Sequence, residues 1–166
     1  MTRKTIITVA LLIIITGALV IPRKAWALPN RGNPYAADIV AAELNNGLPP
    51  KLLARLLYQE SRYRPDIING ETVSSAGAVG IAQIVPKWHP GVDPYNPQDS
   101  IYYAAGYLRK LFDKFGSWRR ALAAYNWGPG NLTKAIDRAG DNWISEAPKE
   151  TRDYVTQITN DVEVPA

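Results

Sequence analysis

Cysteine is absent from this chain of 166 residues, and histidine and methionine occur once each. The missing cysteine excludes disulfide scaffolds, thiol nucleophiles, zinc knuckles and iron–sulfur sites together. With His89 as the single histidine, a multi-histidine metal centre is excluded and a Ser-His-Asp hydrolase would hang on one side chain. No metal and no cofactor is expected. A basic footprint is also lacking, although the net charge is +4. Arg3, Lys4, Arg23 and Lys24 all bracket the first apolar stretch, and from Leu28 onward the basic residues only equal the 15 acidic ones. Phosphate neutralisation therefore has no obvious surface in the body, and nucleic acid is not expected as a partner.

Apolar residues make up 46% and charged residues 20%, enough for one folded domain with a core. Met1–Lys4 is short and basic, Thr5–Ile21 is uncharged and apolar, Pro22 breaks the run, and Ala25-Trp26-Ala27 has the small-x-small form that signal peptidase cuts. The run falls slightly short of the roughly 20 residues of a spanning helix. Residues 1–27 thus read as a signal peptide or an N-terminal membrane anchor. Either reading exports the body, to the periplasm or the outer face of the cytoplasmic membrane, where lacking cysteine avoids unwanted oxidation.

Residues 28–34 read as a linker, 35–160 as the folded domain and 161–166 as a tail. Tyr35, Ile39, Val40 and Leu44 recur at helical spacing before Asn45-Asn46-Gly47. Pro49-Pro50 opens a second helix with Leu52, Leu53, Leu56 and Leu57 on its apolar face, and Pro65 ends it. Asp66 to Gly80 lacks helical periodicity and, with Val79, Ile81 and Ile84, reads as loop plus a small β-hairpin. Ile101 to Phe115 is a long amphipathic helix ended by Gly116, followed by helices after Ser117, over Leu132–Arg138 and from about Pro148. The expected architecture is a single compact, mainly α domain with that hairpin.

Three segments could carry chemistry. Glu60 shares the stripe of Leu53, Leu56 and Leu57 at the C-terminal end of its helix, where lost hydration and the helix dipole both disfavour a carboxylate. A proton held near neutral pH suits a general acid; the plainer reading is an acid paired to Arg62 or Arg64. Ser74 to Gln83 contains Gly77 and Gly80 among small residues, and Gln83 could offer an amide to a polar substrate; an ordinary tight turn is the alternative. Tyr125 and Asn126 end a helix at Gly128-Pro129-Gly130, and aromatics and amides suit sugars; a core tyrosine and a cap is the plainer account. His89 reads as a loop side chain.

Taken together and in this order, the segments resemble the lytic transglycosylase family of the SLT type, related in fold to goose-type lysozyme. The family pattern runs Glu-Ser, Ser-x-x-Gly-Ala-x-Gly-Leu-Met-Gln, Ala-Tyr-Asn-x-Gly-Pro-Gly and Glu-Thr-Arg-x-Tyr-Val. Its counterparts here are Glu60-Ser61, Ser74 to Gln83, Ala124 to Gly130, and Glu150-Thr-Arg-Asp-Tyr154-Val155. The resemblance implies a lysozyme-like α+β fold over most of the body and cleavage of peptidoglycan between N-acetylmuramic acid and N-acetylglucosamine. It implies one catalytic carboxyl, Glu60, with Gln83, Tyr125 and Asn126 lining the sugar groove and Ser74 and Tyr154 as neighbours. Glu60 would protonate the glycosidic oxygen, the substrate's N-acetyl group would stabilise the positive charge, and Glu60 would then take the proton of the C6 hydroxyl as a 1,6-anhydro ring closes.

Two departures from the pattern stand out. The motif's methionine is Ala82, and the chain between Glu60 and Ser74 is a few residues longer, around Ile67–Thr72; both bear on subsites. A hydrolase on the same fold and a non-catalytic wall-binding module are the rival readings. Peptidoglycan strands are the implied partner, as a monomer, with secretion, conjugation and phage-particle machines as candidate settings.

Overall fold

The computed structural model describes residues 26–165, so the leader's basic front and apolar run lie outside the described residues. Among the described residues seven α-helices follow one another: α1 (Ala36–Asn45), α2 (Leu52–Ser61), α3 (Pro65–Ile68), α4 (Pro97–Phe115), α5 (Trp118–Trp127), α6 (Pro129–Ala139) and α7 (Lys149–Asp161). Short 3-10 helices occupy Asn30–Tyr35 and Gly140–Glu146. None of the described helices is long and apolar enough to cross a membrane.

The stop signals act where the side-chain chemistry places them. Pro97 and Pro129 sit at helix starts, where a missing N–H is harmless, and Asn96 accepts from the N–H groups of Gln98 and Asp99 to cap α4. Gly116 ends α4 in the left-handed conformation. Ser117 holds the N-cap position of α5 but makes no side-chain capping bond.

Helix α5 is the hub. Ala121, Leu122, Ala123 and Ala124 are all fully buried, and α5 packs against α4, α6 and α7. Small alanines let those neighbours approach closely. The leucine stripe of α2 is likewise buried, and α2 packs against α1 and α7. This brings the end of α2 beside α7 and the C-terminal end of α5, which is what builds the site.

Three expectations need correction. Among the described residues there is no strand: the hairpin reduces to one antiparallel bridge, Val79 with Ile84. Consecutive turns take up the segment instead, with Gly77 and Gly80 both at φ 77°. A Cβ on Gly80 would lie 1.9 Å from the Pro94 carbonyl oxygen, so the glycine is required by a close backbone approach as well as by its dihedral. The inserted stretch is not all loop, because Pro65–Ile68 makes one helical turn and buries Ile68. On α1, Val40 and Leu44 are exposed, whereas Ile39, Ala42 and Glu43 face inward.

The segment read as a linker is wound into the first 3-10 helix, with Gly32 buried, and the tail packs Val162 into the core. Glu43 is the unforeseen core residue. Its carboxylate accepts from the backbone N–H groups of Lys51, Leu53 and Ala54 at 2.9, 2.9 and 3.2 Å. It thereby caps α2, whose own N-cap residue, Lys51, has no acceptor to offer.

Candidate active site

Glu60 stands in the last turn of α2. The helix ends abruptly because Arg62 and Tyr63 both take left-handed backbone conformations, at φ 53° and 52°. Ser61 supports this reversal: its hydroxyl donates to the Leu57 carbonyl and accepts from the Tyr63 N–H. The reversal carries both candidate arginines away. Arg62 lies over the Tyr58 ring, 4.7 Å from its centroid, and Arg64 forms a 2.5 Å ion pair with Asp66. No ion pair among the described residues includes Glu60.

The Tyr154 hydroxyl, from α7, donates to Glu60 Oε1 at 2.5 Å. Burial pushes the Glu60 carboxyl up to about 7; the Tyr154 hydrogen bond works against that shift and the nearby Glu150 charge adds to it. The residue keeps partial exposure through the mouth of a cavity of about 390 Å³. Gln83, Asn126, Glu150 and Tyr154 line that cavity with Glu60, and Gln59, Asp153 and Gln157 complete its polar rim. A larger groove of about 920 Å³ lies between Trp26, Pro49–Lys51 and residues 160–165, but it holds none of the motif residues. Chemistry, rather than size, selects the smaller cavity.

The other motif residues are held by their own bonds. Gln83, at φ 48°, donates from its amide to the Gly80 carbonyl at 3.1 Å. Asn126 Oδ1 accepts from the Thr151 hydroxyl at 2.7 Å, which leaves its amide N–H groups for the cavity. The Tyr125 hydroxyl donates to the Ala82 carbonyl at 2.9 Å and ties α5 to the glycine turn. Neither Tyr125 nor Ser74 lines the cavity; the Ser74 hydroxyl accepts from the Ala78 N–H at 2.8 Å and closes the turn.

Sequence reasoning gave no role to Glu150, nor to Gln59, Asp153 and Gln157, among the cavity residues. Glu150 precedes Tyr154 by one helical turn, so the same face of α7 carries both; that spacing was the available signal. Among the described residues, no group of three His, Asp or Glu side chains could hold a metal ion.

Two outcomes follow from this electrostatic arrangement. Removing the Tyr154 hydrogen bond deletes the one influence that lowers the Glu60 pKa, so Tyr154→Phe should move the alkaline limb of the pH–rate profile upward while lowering the rate about tenfold through lost orientation. An unmoved limb would detach Tyr154 from the acid. Stability should also depend on pH. The folded protein holds the Glu60 proton more tightly than the unfolded chain, so stability is fully present below about pH 4.5 and is lost as pH rises towards about 7. Allowing for partial exposure, the loss is about 1–3 kcal/mol. Unfolding titrations of wild type and Glu60→Gln across pH 4.5–8 should differ by that amount, with the variant the flatter.

A half-buried, proton-holding carboxyl among amide and phenol groups is the constellation that the four motifs carry in register. The sequence profile described as "Transglycosylase SLT domain" matches residues 38–147. The chain belongs to this family. The matched stretch includes Glu60, Gln83, Tyr125 and Asn126 and stops short of Tyr154. Over 115 residues the chain is 32% identical to the transglycosylase of Enterobacteria phage PRD1, covering 60% of this chain and 42% of that one. It is 28% identical over 146 residues to the membrane-bound lytic murein transglycosylase D of Escherichia coli K12, covering 77% and 30%. An inactive mutant of lytic transglycosylase Slt from Pseudomonas aeruginosa superposes with a TM-score of 0.64 at 26% identity, over 76% of this chain and 23% of that one. This member of the SLT family thus spans less than half the length of these relatives.

Proposed function

We propose that the chain is a peptidoglycan lytic transglycosylase with Glu60 as its general acid and base. The observation that carries this reading is the near-neutral Glu60 carboxyl, bonded by Tyr154 and ion-paired to no cation among the described residues, in a polar cavity. Protonated Glu60 gives its proton to the oxygen between N-acetylmuramic acid and N-acetylglucosamine, and that C–O bond breaks. The sugar's N-acetyl oxygen stabilises the cationic anomeric carbon. The C6 hydroxyl then attacks that carbon and yields its proton to Glu60, which closes the 1,6-anhydro ring and restores the acid. Gln83 and Asn126 orient the sugar amides, and Tyr125 holds the turn that carries Gln83.

Residues 1–27 deliver the domain beyond the cytoplasmic membrane, where it opens the wall locally. The test is digestion of purified sacculi by the intact protein, with mass spectrometry of the fragments. Anhydro ends, lighter by one water than reducing ends, are expected.

Glu150 supports a second reading. A second carboxylate at the same cavity could activate water, as in hydrolases with paired carboxyls. Reducing ends, together with loss of activity in Glu150→Gln, would establish that alternative.

A further inference from the structure

Arg55, on α2, is only 4% exposed, a rare place for a cation. Its Nε donates to Asp161 Oδ2 at 2.7 Å, at the end of α7, and its Nη1 donates to Gln59 Oε1 at 2.9 Å, one turn further along α2. The guanidinium carbon lies 5.4 Å from the centroid of the Tyr58 ring and 6.0 Å from that of Trp26. Directed bonds and flanking rings together fix the plane of the group. Gln59 stands next to Glu60 in the chain and lines the same cavity.

A guanidinium has N–H donors only, so the Gln59 atom facing it is the carbonyl oxygen. The amide nitrogen is thereby turned the other way. It has no hydrogen-bond partner among the described residues. No buried side-chain polar atom there lacks one, so the nitrogen stands open where Gln59 lines the cavity. Pairing with Asp161 accounts for the burial of Arg55 through Nε alone. It does not account for the second bond, whose effect falls on the cavity. A free glutamine could turn either end of its amide to a ligand, whereas this one offers donors only. We propose that Gln59 binds an oxygen acceptor of the glycan strand beside Glu60, and that Arg55 is the positioning residue that keeps the amide turned for this task. The hydroxyl and acetamido oxygens of the sugars are acceptors of this kind. Because the amide is held before the strand arrives, little ordering remains on binding. The bond is made by the bound strand and by the transition state alike, so it acts on KM rather than on kcat. The inference rests on the glycan-cleavage reading above and assigns the polarity of one wall of that site.

The intact protein is tested on soluble, uncrosslinked glycan strands at equal folded concentration. Gln59→Leu, which removes the amide, should raise KM about five- to tenfold and leave kcat within about twofold. Gln59→Glu keeps an oxygen for Arg55, and so the fold, but sets a second oxygen where the N–H donors stood; KM should rise at least as much. Arg55→Lys keeps the charge beside Asp161 and loses the rigid fork, so KM should rise about two- to fivefold. Added to Gln59→Leu, the same change should raise KM by less than about twofold, because its effect passes through the amide. An arginine that only held the fold together would multiply the two losses instead. Where Arg55→Lys does not fold, the two Gln59 variants decide. KM within about twofold of wild type in either Gln59 variant, a loss confined to kcat, or multiplying losses overturns the proposal while cleavage by the wild type stands. A wild type that leaves both strands and sacculi intact removes the glycan reading, and this inference with it.

Discussion

Replacing Glu60 by glutamine is expected to lower peptidoglycan cleavage by about 10²–10⁴-fold, equivalent to about 3–5 kcal/mol of barrier. Glutamine keeps the shape and still accepts from Tyr154, so the variant should fold and bind while losing the ability to give and retake a proton. Wild-type activity should decline about tenfold per pH unit above about 7, as the acid ionises. Release of soluble fragments from sacculi, compared at equal folded concentration, measures both effects. A Glu60→Gln protein cleaving within tenfold of wild type would remove Glu60 from the mechanism.

The second large effect should fall on stability rather than chemistry. Glu43 satisfies three N–H groups at the start of α2 from a position only 6% exposed. Its negative charge also lies at the positive end of that helix dipole. Glu43→Ala leaves the Leu53 and Ala54 N–H groups buried without that acceptor, at a cost of about 3 kcal/mol. For a domain of this size, Tm should fall by about 6–12 °C. Glu43→Gln retains an acceptor oxygen and should lose less. Thermal unfolding of the three proteins at one pH orders them; an Ala variant within a degree of wild type would show that water replaces the cap without penalty.

Glu43 also shows where reading the chain from its residues reaches its limit. The leucines of α2, the run of α4 and the break at Gly128-Pro129-Gly130 were legible because each element's own spacing or punctuation encodes it. On α1 the same counting favoured Val40 and Leu44. The helix instead turns Glu43 inward, since its partners are backbone N–H groups of the next helix, which no local pattern displays. A signal did exist: α2 opens on a lysine, so its orphan donors needed an acceptor from elsewhere. The hairpin failed for a related reason. Val79, Ile81 and Ile84 look strand-like, but Gly77, Gly80 and Gln83 all adopt positive φ, and repeated reversals leave no length for a ladder.

In the site, Glu60 was readable because an acid on an apolar stripe is anomalous in itself. Whether Arg62 or Arg64 would neutralise it was not. That depended on two consecutive left-handed residues, neither of them the glycine or asparagine that usually marks such a bend. Gln83 and Asn126 were found through their motifs, while Gln59, Asp153 and Gln157 enter the rim only through the packing of α2 on α7.

The hydrogen bond between Glu60 and Tyr154 joins residues 94 apart in the chain. A growing polypeptide therefore carries its acid long before the helix that shields it has been made. Until α7 docks, water reaches the carboxyl and its acidity relaxes toward that of any free glutamate. The proposed acid therefore stays untuned while the helices between α2 and α7 are being made, and gains its raised proton affinity only once α7 has docked.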